Sequence, residues 1–365
     1  MATRAERQRL DPSVFRLPVE RIREGYYSDA YFNFSRELLE AEDRHPQVVM
    51  QVFQKQESVL GGIDEAIAVL KQCAGRHTPD GGFENAWEDL SVHALHEGDE
   101  IAPHETVMTI EGDYALFAHL ETVYLGCLAR RTLVMRNVRE VVEAARGKQI
   151  LFFPARHDHW LVQTGDGWAA HVAGAIGVST DAQASWWGGR GVGTVPHALI
   201  ASYNGSTVEA SKAFARHFAG EMNVTVLVDF ENDSVRTALE VAEALGDDLW
   251  GVRLDTSESL VDRSLWHEMG DFRPTGVNEI LVQRVREALD AAGHRQVKIV
   301  VSGGFDAERI RAFEAQGVPV DAYGVGSSLL RGQNDFTADI VVVDGRECSK
   351  VGRRHRPNPR LEVVE

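Results

Sequence analysis

KIVVSGG (298–304) and AYGVGSS (322–328) are the two stretches of this 365-residue sequence that decide its fold. In each, a short apolar run typical of a strand is followed by glycine and serine and then by helix-forming sequence. Two such units in succession place free backbone N–H groups side by side, where helix dipoles also favour negative charge. The last two βα loops of a (β/α)₈ barrel are the usual place for such a site. The pair therefore predicts a barrel and a phosphate-bearing ligand, with turns that simply need glycine as the alternative.

Strand-like and helix-like segments alternate from about residue 149 onward. In chain order they are QILFFPAR (149–156), GDGWAAHVAGAIG (165–177), VGTVPHALI (192–200), a helix over 206–219, VTVLVDF (224–230), a helix over 232–245, LWGVRLD (249–255) and a helix over 277–292. Nearly continuous apolar strands that alternate with helices indicate a parallel sheet buried on both faces. A barrel is the simplest closure of such a sheet. We therefore expect an irregular TIM-like α/β barrel over residues 123–337.

The beginning and the end of the chain have a different pattern. Residues 48–71 combine a short strand with an amphipathic helix, and residues 92–126 alternate like antiparallel strands before they enter a helix. The tail contains VVVDGRE (341–347), which is typical of a hairpin, and then a basic stretch with two prolines. We expect residues 1–122 and 338–365 to form a separate α+β domain, with the tail packed on the first layer.

The composition excludes several classes of protein. A net charge of −17 argues against a general binder of nucleic acid or of acidic membranes, because the field of the protein repels polyanions. Cys73, Cys127 and Cys348 are too far apart in sequence to indicate a zinc site or a disulfide framework. The sequence has no signal-peptide core and no apolar run of membrane-spanning length. We expect a cytoplasmic protein that binds its phosphate ligand in a local positive pocket.

Polar residues and glycines recur at the ends of the predicted strands, where barrel enzymes place their chemistry. These residues are Arg156, Thr194, His197, Asp229, Arg253, Asp255, Ser302, Gly303, Gly304, Gly326 and Ser327. A single acid or arginine at a strand end is unremarkable. Six strand ends that carry two arginines, a histidine, two aspartates and two glycine turns are not explained by packing, so we interpret them as one site.

Each charged member of this set also has a structural interpretation. Arg156 could form an ion pair, and Asp229 could cap the helix that follows it. Arg253 and Asp255 leave the same face of one strand, so they could form a salt bridge without any ligand. His197, next to a proline in a glycine-rich turn, could simply be hydrogen-bonded.

Metal and Schiff-base chemistry are disfavoured. His157 and His159 have the spacing of metal ligands in barrel hydrolases, but the later strand ends carry aspartates and glycines instead of further histidines. Lys298 begins its strand, so no lysine lies at a strand's carboxyl end to form a Schiff base. We expect no metal held by the protein alone.

At these residues the chain resembles the nicotinate phosphoribosyltransferases, members of the type II phosphoribosyltransferases, which also include the nicotinamide and quinolinate enzymes. The similar segments are SDAYF (28–32), GTVPHALI (193–200), WGVRLDT (250–256), VSGGFD (301–306) and YGVGSSL (323–329). Any one of them is a weak signal, but five in order and in spacing extend the resemblance over about residues 25–352. DFEND (229–233) departs from the Asp-Thr-Tyr-Asp of many members, and RLDTSES (253–259) from the commoner Asp-Ser-Gly-Asp version.

The resemblance implies an irregular barrel joined to an open-faced α/β sandwich, in a homodimer with a shared site or in a higher oligomer. It implies condensation of nicotinate with phosphoribosyl pyrophosphate to nicotinate mononucleotide and pyrophosphate, in NAD synthesis. His197 matches a histidine that ATP phosphorylates, and Asp229 matches the acid that orients it. Arg253 and Asp255 match residues that contact the substrates and the ribose hydroxyls.

The resemblance also assigns the binding residues and the cofactors. Gly303, Gly304, Gly326 and Ser327 match the phosphate cradle, and Phe153, Arg156 and the partner subunit's Tyr31 match the base site. From their places at strand ends, we add Ser302 to the phosphate-binding residues and Thr194 to the base-binding residues. Mg²⁺ would bridge the pyrophosphate oxygens with few protein ligands, and ATP would act as co-substrate.

The identity of the base stays open at this point. Quinolinate carries a second carboxylate and would need further cations, for which Arg130 and Arg131 are candidates, although they lie in helix-like sequence. Nicotinamide would need an acceptor for its amide. The third alternative is a catalytically inactive relative that binds phosphoribosyl ligands. The intact set of charged residues argues against it.

Overall fold

The computed structural model describes residues 8–268 and 270–365, which fall into two compact units. One unit runs to Arg136 and includes Gly332–Glu365, and the other is Asn137–Arg331. The division thus falls inside a long helix, whereas the sequence analysis placed the boundary near that helix's start. None of the described helices is long and apolar enough to cross a membrane.

The helices are α1 (Val19–Arg23), α2 (Ala30–Ala41), α3 (Ile63–Cys73), α4 (Glu121–Ala144), α5 (Gln163–Ala173), α6 (Asp181–Ala184), α7 (His197–Ser202), α8 (Thr207–Phe218), α9 (Ser234–Leu245), α10 (Glu279–Ala291) and α11 (Ala307–Ala315). The strands are β1 (Gln47–Phe53), β2 (Ser58–Val59), β3 (Gly75–His77), β4 (Phe83–Asn85), β5 (Ser91–Ala94), β6 (Glu100–Ile101), β7 (Thr106–Asp113), β8 (Gln149–Phe152), β9 (Gly177–Val178), β10 (Val224–Leu227), β11 (Leu249–Leu254), β12 (Lys298–Val301), β13 (Ala322–Val325), β14 (Thr337–Val343), β15 (Arg346–Glu347) and β16 (Glu362–Val363).

The first unit is an antiparallel sheet with helices packed on it. Its strand order is β15-β14-β1-β7-β5-β16, so both of its edge strands come from the tail. Apolar residues of β1 and β7 share one core with the almost wholly buried α3, as expected for a sheet with one covered face. The expected return of the tail onto the first layer is confirmed, because β14 pairs with β1 over Val48–Phe53.

The second unit is a parallel sheet in the order β10-β11-β12-β13-β8-β9. Its central strands are buried on both faces, as their continuous apolar sequence predicts. An extended segment joins the two edge strands, because Val192 N–H donates to the Val178 carbonyl at 2.7 Å and Val195 N–H donates to the Thr225 carbonyl at 2.8 Å. This segment closes the ring, so the expected irregular barrel is confirmed.

The two glycine turns end differently. The first leads into α11, whose N-cap Asp306 accepts a hydrogen bond from Arg309 N–H at 3.0 Å. The second leads only into a four-residue 3₁₀ turn, Ser327–Leu330, so the expectation of a helix there is wrong. The physical reason is that the chain leaves the barrel unit at Arg331, before a second turn of helix can form.

Candidate active site

A cavity of about 740 Å³ opens at the carboxyl ends of the barrel strands. Of the residues proposed from the sequence, it is lined by Phe153, Arg156, Thr194, His197, Arg253, Asp255, Ser302, Gly303, Gly304, Gly326 and Ser327. They come together because parallel strands end at one edge of the sheet, and each of these residues lies at or just after such an end. The set that was scattered over 175 residues of sequence is one concave surface.

A hydrogen-bonded network joins Arg253, Ser302 and Asp255 in the wall of the cavity. Arg253 Nε donates to Ser302 Oγ at 2.7 Å, and Ser302 Oγ donates to Asp255 Oδ1 at 2.6 Å. Arg253 Nη2 also lies 3.4 Å from Asp255 Oδ2, so the salt bridge considered from the sequence is present. The N–H of Ser302 donates to the Leu254 carbonyl at 3.0 Å. Both donors of this buried serine are therefore used within the protein.

His197 and Asp229 form a second pair. His197 Nε2 lies 3.0 Å from Asp229 Oδ1, and the side chains are 42% and 8% exposed. The hydrogen bond to Asp229 raises the pKa of His197 above its usual value, although partial burial opposes the rise. Asp229 does not cap the next helix, because the N-cap of α9 is Asp233. The histidine thus faces the cavity, with the carboxylate behind it.

The glycine turns present unbonded backbone donors. Gly303 and Gly304 have φ of 86° and 72°, in the left-handed region that side chains other than glycine rarely adopt. Within the described part of the chain, the N–H groups of Gly303, Gly304 and Phe305 donate to no other group. Such a row of N–H groups beside the start of α11 is suited to an anion.

The aromatic ring of Phe153 and the guanidinium of Arg156 belong to the lining of the same cavity. The Phe153 ring packs against the backbone of Gly324, where an added Cβ would lie 2.8 Å from the ring. The guanidinium of Arg253 lies 5.2 Å from the centre of that ring, and its Nη1 is 3.4 Å from Thr194 Oγ1. Arg156 is exposed and its side chain forms no ion pair with any described residue, contrary to its structural interpretation. An aromatic face and an unpaired cation suit a planar ring with an acidic substituent.

Tyr31 belongs to the first unit, where it lies on α2 and is 60% exposed. Its assignment to the base site of a partner subunit stays a prediction. Ser328, at the end of the second glycine turn, lines the cavity as the sequence suggested, and His157, considered only as part of a disfavoured metal pair, lines it too. Sequence reasoning did not select the other lining residues Ser179, Phe305, Gly324 and Arg331. Arg331 had a usable signal, because it is a cation that directly follows the second glycine turn. Phe305 and Gly324 had none, because their importance lies only in what packs against them.

The described residues of the cavity do not form a metal site by themselves. Among residues 8–268 and 270–365, no three histidine, cysteine or acidic side chains converge to hold an ion. Asp255 is the acid in the cavity wall, and its two oxygens already contact Ser302 and Arg253. Mg²⁺ keeps most of its water and phosphate ligands and needs few from the protein.

The chain is similar to proteins of pyridine nucleotide metabolism. A family model described as quinolinate phosphoribosyl transferase, N-terminal domain, matches residues 29–132. A nicotinate phosphoribosyltransferase of Mycobacterium tuberculosis is 31% identical over 283 residues, which are 75% of this chain and 58% of that protein. The crystal structure of nicotinate-nucleotide pyrophosphorylase from Pyrococcus furiosus is 32% identical with a TM-score of 0.78, over 95% of this chain and 85% of that one. Human nicotinic acid phosphoribosyltransferase, at 18% identity and a TM-score of 0.68 over 88% of this chain and 76% of that one, shares the fold.

The fold defines an α/β-barrel protein with a cavity at the carboxyl edge of its parallel sheet. At 32% identity over most of both chains, the similarity to the Pyrococcus structure establishes the family. The chain belongs to the type II phosphoribosyltransferases, which confirms the resemblance found in the sequence. It spans 58% of the length of the Mycobacterium relative that it matches.

Proposed function

We propose that this chain is a nicotinate phosphoribosyltransferase, which joins nicotinate to phosphoribosyl pyrophosphate and releases nicotinate mononucleotide and pyrophosphate. The observation that carries the proposal is one cavity that combines unbonded N–H groups, the Arg253–Ser302–Asp255 network, the Phe153 ring and the unpaired Arg156. The M. tuberculosis relative named as a nicotinate phosphoribosyltransferase supports it.

The chemistry requires positioning and charge stabilisation more than proton transfer. Pyrophosphate leaves the anomeric carbon through an oxocarbenium-like state, while the lone pair of the pyridine nitrogen forms the new C–N bond. Asp255 would hold the ribose hydroxyls and stabilise positive charge on the sugar, and Arg253 would stabilise the departing pyrophosphate. The glycine turns would hold the 5′-phosphate. Mg²⁺ bound to the substrate would supply charge neutralisation of the pyrophosphate, with Arg253 as the cation that the protein itself contributes.

We propose nicotinate as the base because Arg156, whose side chain forms no ion pair with any described residue, lines the same cavity as the Phe153 ring. A carboxylate binds a guanidinium in a bidentate manner, and the amide of nicotinamide does not. Quinolinate would need a second cation beside Arg156. Arg131, one of the two candidates from the sequence, instead pairs with Glu65 at 2.9 Å in the first unit.

Coupling to ATP would occur at His197. With Nε2–H donating to Asp229, the lone pair lies on Nδ1, which can attack the γ-phosphorus of ATP so that the P–O bond to ADP breaks. Hydrolysis of the resulting phosphohistidine returns the free imidazole and phosphate. Negative charge on His197 near the pyrophosphate site would couple the two reactions electrostatically.

A homodimer with a shared site is part of the proposal. Tyr31, Phe34 and Leu38 are each at least 60% exposed and lie at i, i+3 and i+7 on one face of α2. Such an apolar face on a described helix suits contact with a second copy, in which Tyr31 would stack on the pyridine ring.

The test is to incubate the purified chain with phosphoribosyl pyrophosphate, Mg²⁺ and each pyridine base, with and without ATP, and to identify the mononucleotide. We expect turnover of nicotinate that ATP increases, and no turnover in Arg253→Ala. Turnover of nicotinamide or quinolinate without turnover of nicotinate would refute the choice of base. His197→Ala should remove the ATP stimulation more than the basal synthesis, and equal loss of both would contradict its role.

A further inference from the structure

Arg309 approaches the first glycine turn from behind. It lies on α11, where its side chain is 24% exposed, and it does not line the large cavity. It lines a separate cavity of about 250 Å³, which shares Gly304 with the large one. The turn is therefore a thin wall, with the proposed phosphate position on one side and the Arg309 guanidinium on the other.

The guanidinium is bound to the backbone of two loops. Arg309 Nη1 donates to the Gly303 carbonyl at 2.8 Å, and Nη2 donates to the Val277 carbonyl. The group also stacks on Phe305, with 4.2 Å between Cζ and the ring centre. Two hydrogen bonds and one stacking contact determine both the position and the plane of the guanidinium.

The bond to the Gly303 carbonyl sets the direction of the next N–H. The peptide bond between Gly303 and Gly304 is trans, so its C=O and N–H groups point in opposite directions. A carbonyl held toward Arg309 turns the N–H of Gly304 away from it. With both φ angles in the glycine region the turn has other accessible conformations, and Arg309 selects one of them.

We infer that Arg309 is a positioning residue, which aims the Gly304 N–H at the 5′-phosphate of the substrate without touching the substrate. The inference deepens the proposed function and rests on it. It goes beyond the cradle glycines, because it explains how a turn of two consecutive glycines keeps a binding conformation.

A competing account is charge compensation. Glu258 lies 3.7 Å from Arg309 Nη1, and its Oε1 would be 2.3 Å from a Cβ added to Gly304. Loss of Arg309 would leave this carboxylate uncompensated next to the phosphate position. The two accounts differ in whether removal of the Glu258 charge restores binding to an Arg309 variant.

The experiment measures binding of ribose 5-phosphate by calorimetry and steady-state kinetics with phosphoribosyl pyrophosphate. Arg309→Met keeps the length of the side chain and removes its donors. We expect the dissociation constant for ribose 5-phosphate and the KM for phosphoribosyl pyrophosphate to rise on the order of tenfold. This factor corresponds to the loss of one hydrogen bond to a charged group, here the bond from the Gly304 N–H to the phosphate. The kcat at saturation and the KM for nicotinate should stay within about twofold, which a general structural defect would not allow.

Arg311→Ala is the matched control on the same helix. Arg311 is 54% exposed and pairs with Glu140 at 2.7 Å, so its loss should leave both constants unchanged. Arg309→Lys retains the cation but cannot span two carbonyls, so it should show the same weakening if Arg309→Met does not fold. Addition of Glu258→Gln should not restore affinity.

Unchanged binding of ribose 5-phosphate in Arg309→Met or Arg309→Lys would overturn the inference, as would recovery of affinity with Glu258→Gln. Failure of the wild-type chain to bind either phosphoribosyl compound would instead overturn the proposed function. The two failures are thus separate results of one set of measurements.

Discussion

Replacement of Ser302 by alanine removes the centre of the network in the cavity wall. The serine hydroxyl accepts from Arg253 Nε at 2.7 Å and donates to Asp255 at 2.6 Å. Alanine leaves the direct contact of 3.4 Å between the guanidinium and the carboxylate, and the contact of Arg253 Nη1 with Thr194 Oγ1. Both charged groups then gain rotational freedom at the site where the sugar and pyrophosphate separate.

The magnitude follows from the two lost bonds and from the exposure of their partners. A hydrogen bond to a charged group contributes about 1.5–3 kcal/mol. Arg253 and Asp255 are 19% and 26% exposed, so water replaces part of what is lost. We therefore expect a net loss of about 1.5 kcal/mol, which corresponds to about a tenfold decrease in kcat.

Steady-state kinetics of mononucleotide formation test this expectation, with thermal unfolding as a check on folding. Ser328→Ala is the matched control, because the Ser328 hydroxyl lines the same cavity but donates to the Phe305 carbonyl at 2.8 Å and to no charged group. It should leave kcat unchanged. If Ser302→Ala instead raises the KM for phosphoribosyl pyrophosphate and leaves kcat intact, Ser302 binds the substrate directly and the reasoning is refuted.

Three further predictions follow from the geometry. Asp229→Asn removes the carboxylate that raises the pKa of His197, so an NMR titration should give a lower pKa for His197; an unchanged value would contradict the pairing. The His197–Asp229 pair contributes fully to the free energy of unfolding below the usual histidine pKa of about 6.5, and this contribution is lost as the pH rises through the raised pKa of His197. The Asp229→Asn variant should lack this pH dependence of stability. Gly324→Ala places a Cβ 2.8 Å from the Phe153 ring and should raise the KM for nicotinate about 2- to 10-fold, with the KM for phosphoribosyl pyrophosphate unchanged. Tyr31→Ala should raise the KM for nicotinate while changing the free energy of unfolding by less than about 0.5 kcal/mol, because the ring is 60% exposed. A larger loss of stability would mean that the Tyr31 ring stabilises the fold instead of binding the base.

Much of the barrel could be predicted from the sequence because its strands are buried on both faces. Nearly continuous apolar runs such as VTVLV (224–228) and IVV (299–301) are typical of parallel sheets, and the polar residues after them mark the carboxyl edge. The sequence also indicated a strand end in VGTVPHALI (192–200), but residues 192–195 form only isolated bonds to their neighbours in place of a regular strand. That this segment closes the ring could not be predicted, because its bonding partners come from distant parts of the chain. The length of the helix after the second glycine turn was missed because it depends on where the chain leaves the unit.

The bonding partners of side chains in the site could not be predicted from the sequence either. Sequence position placed Ser302 among the phosphate ligands because it precedes Gly303, but its hydroxyl and its N–H are both committed to the protein. Arg309 was not selected, because it follows the turn by five residues and lies on a helix. In the sequence it cannot be distinguished from an ordinary arginine on a helix surface. What distinguishes both residues is a bonding partner from another strand end or loop, which only the folded chain supplies.

The two classes of contact in the cavity therefore have different kinetic signatures. The Arg253–Ser302–Asp255 network consists of side chains around the reacting carbon, so damage to it should lower kcat. The glycine turn consists of backbone around a phosphate that does not react, so damage to its support by Arg309 should raise KM. Because Ser302 and Gly303 are consecutive residues, one turn of chain joins the two functions. A variant at either position that changed both constants equally would mean that the turn moves as a unit, and that the side-chain and backbone contacts are not independent.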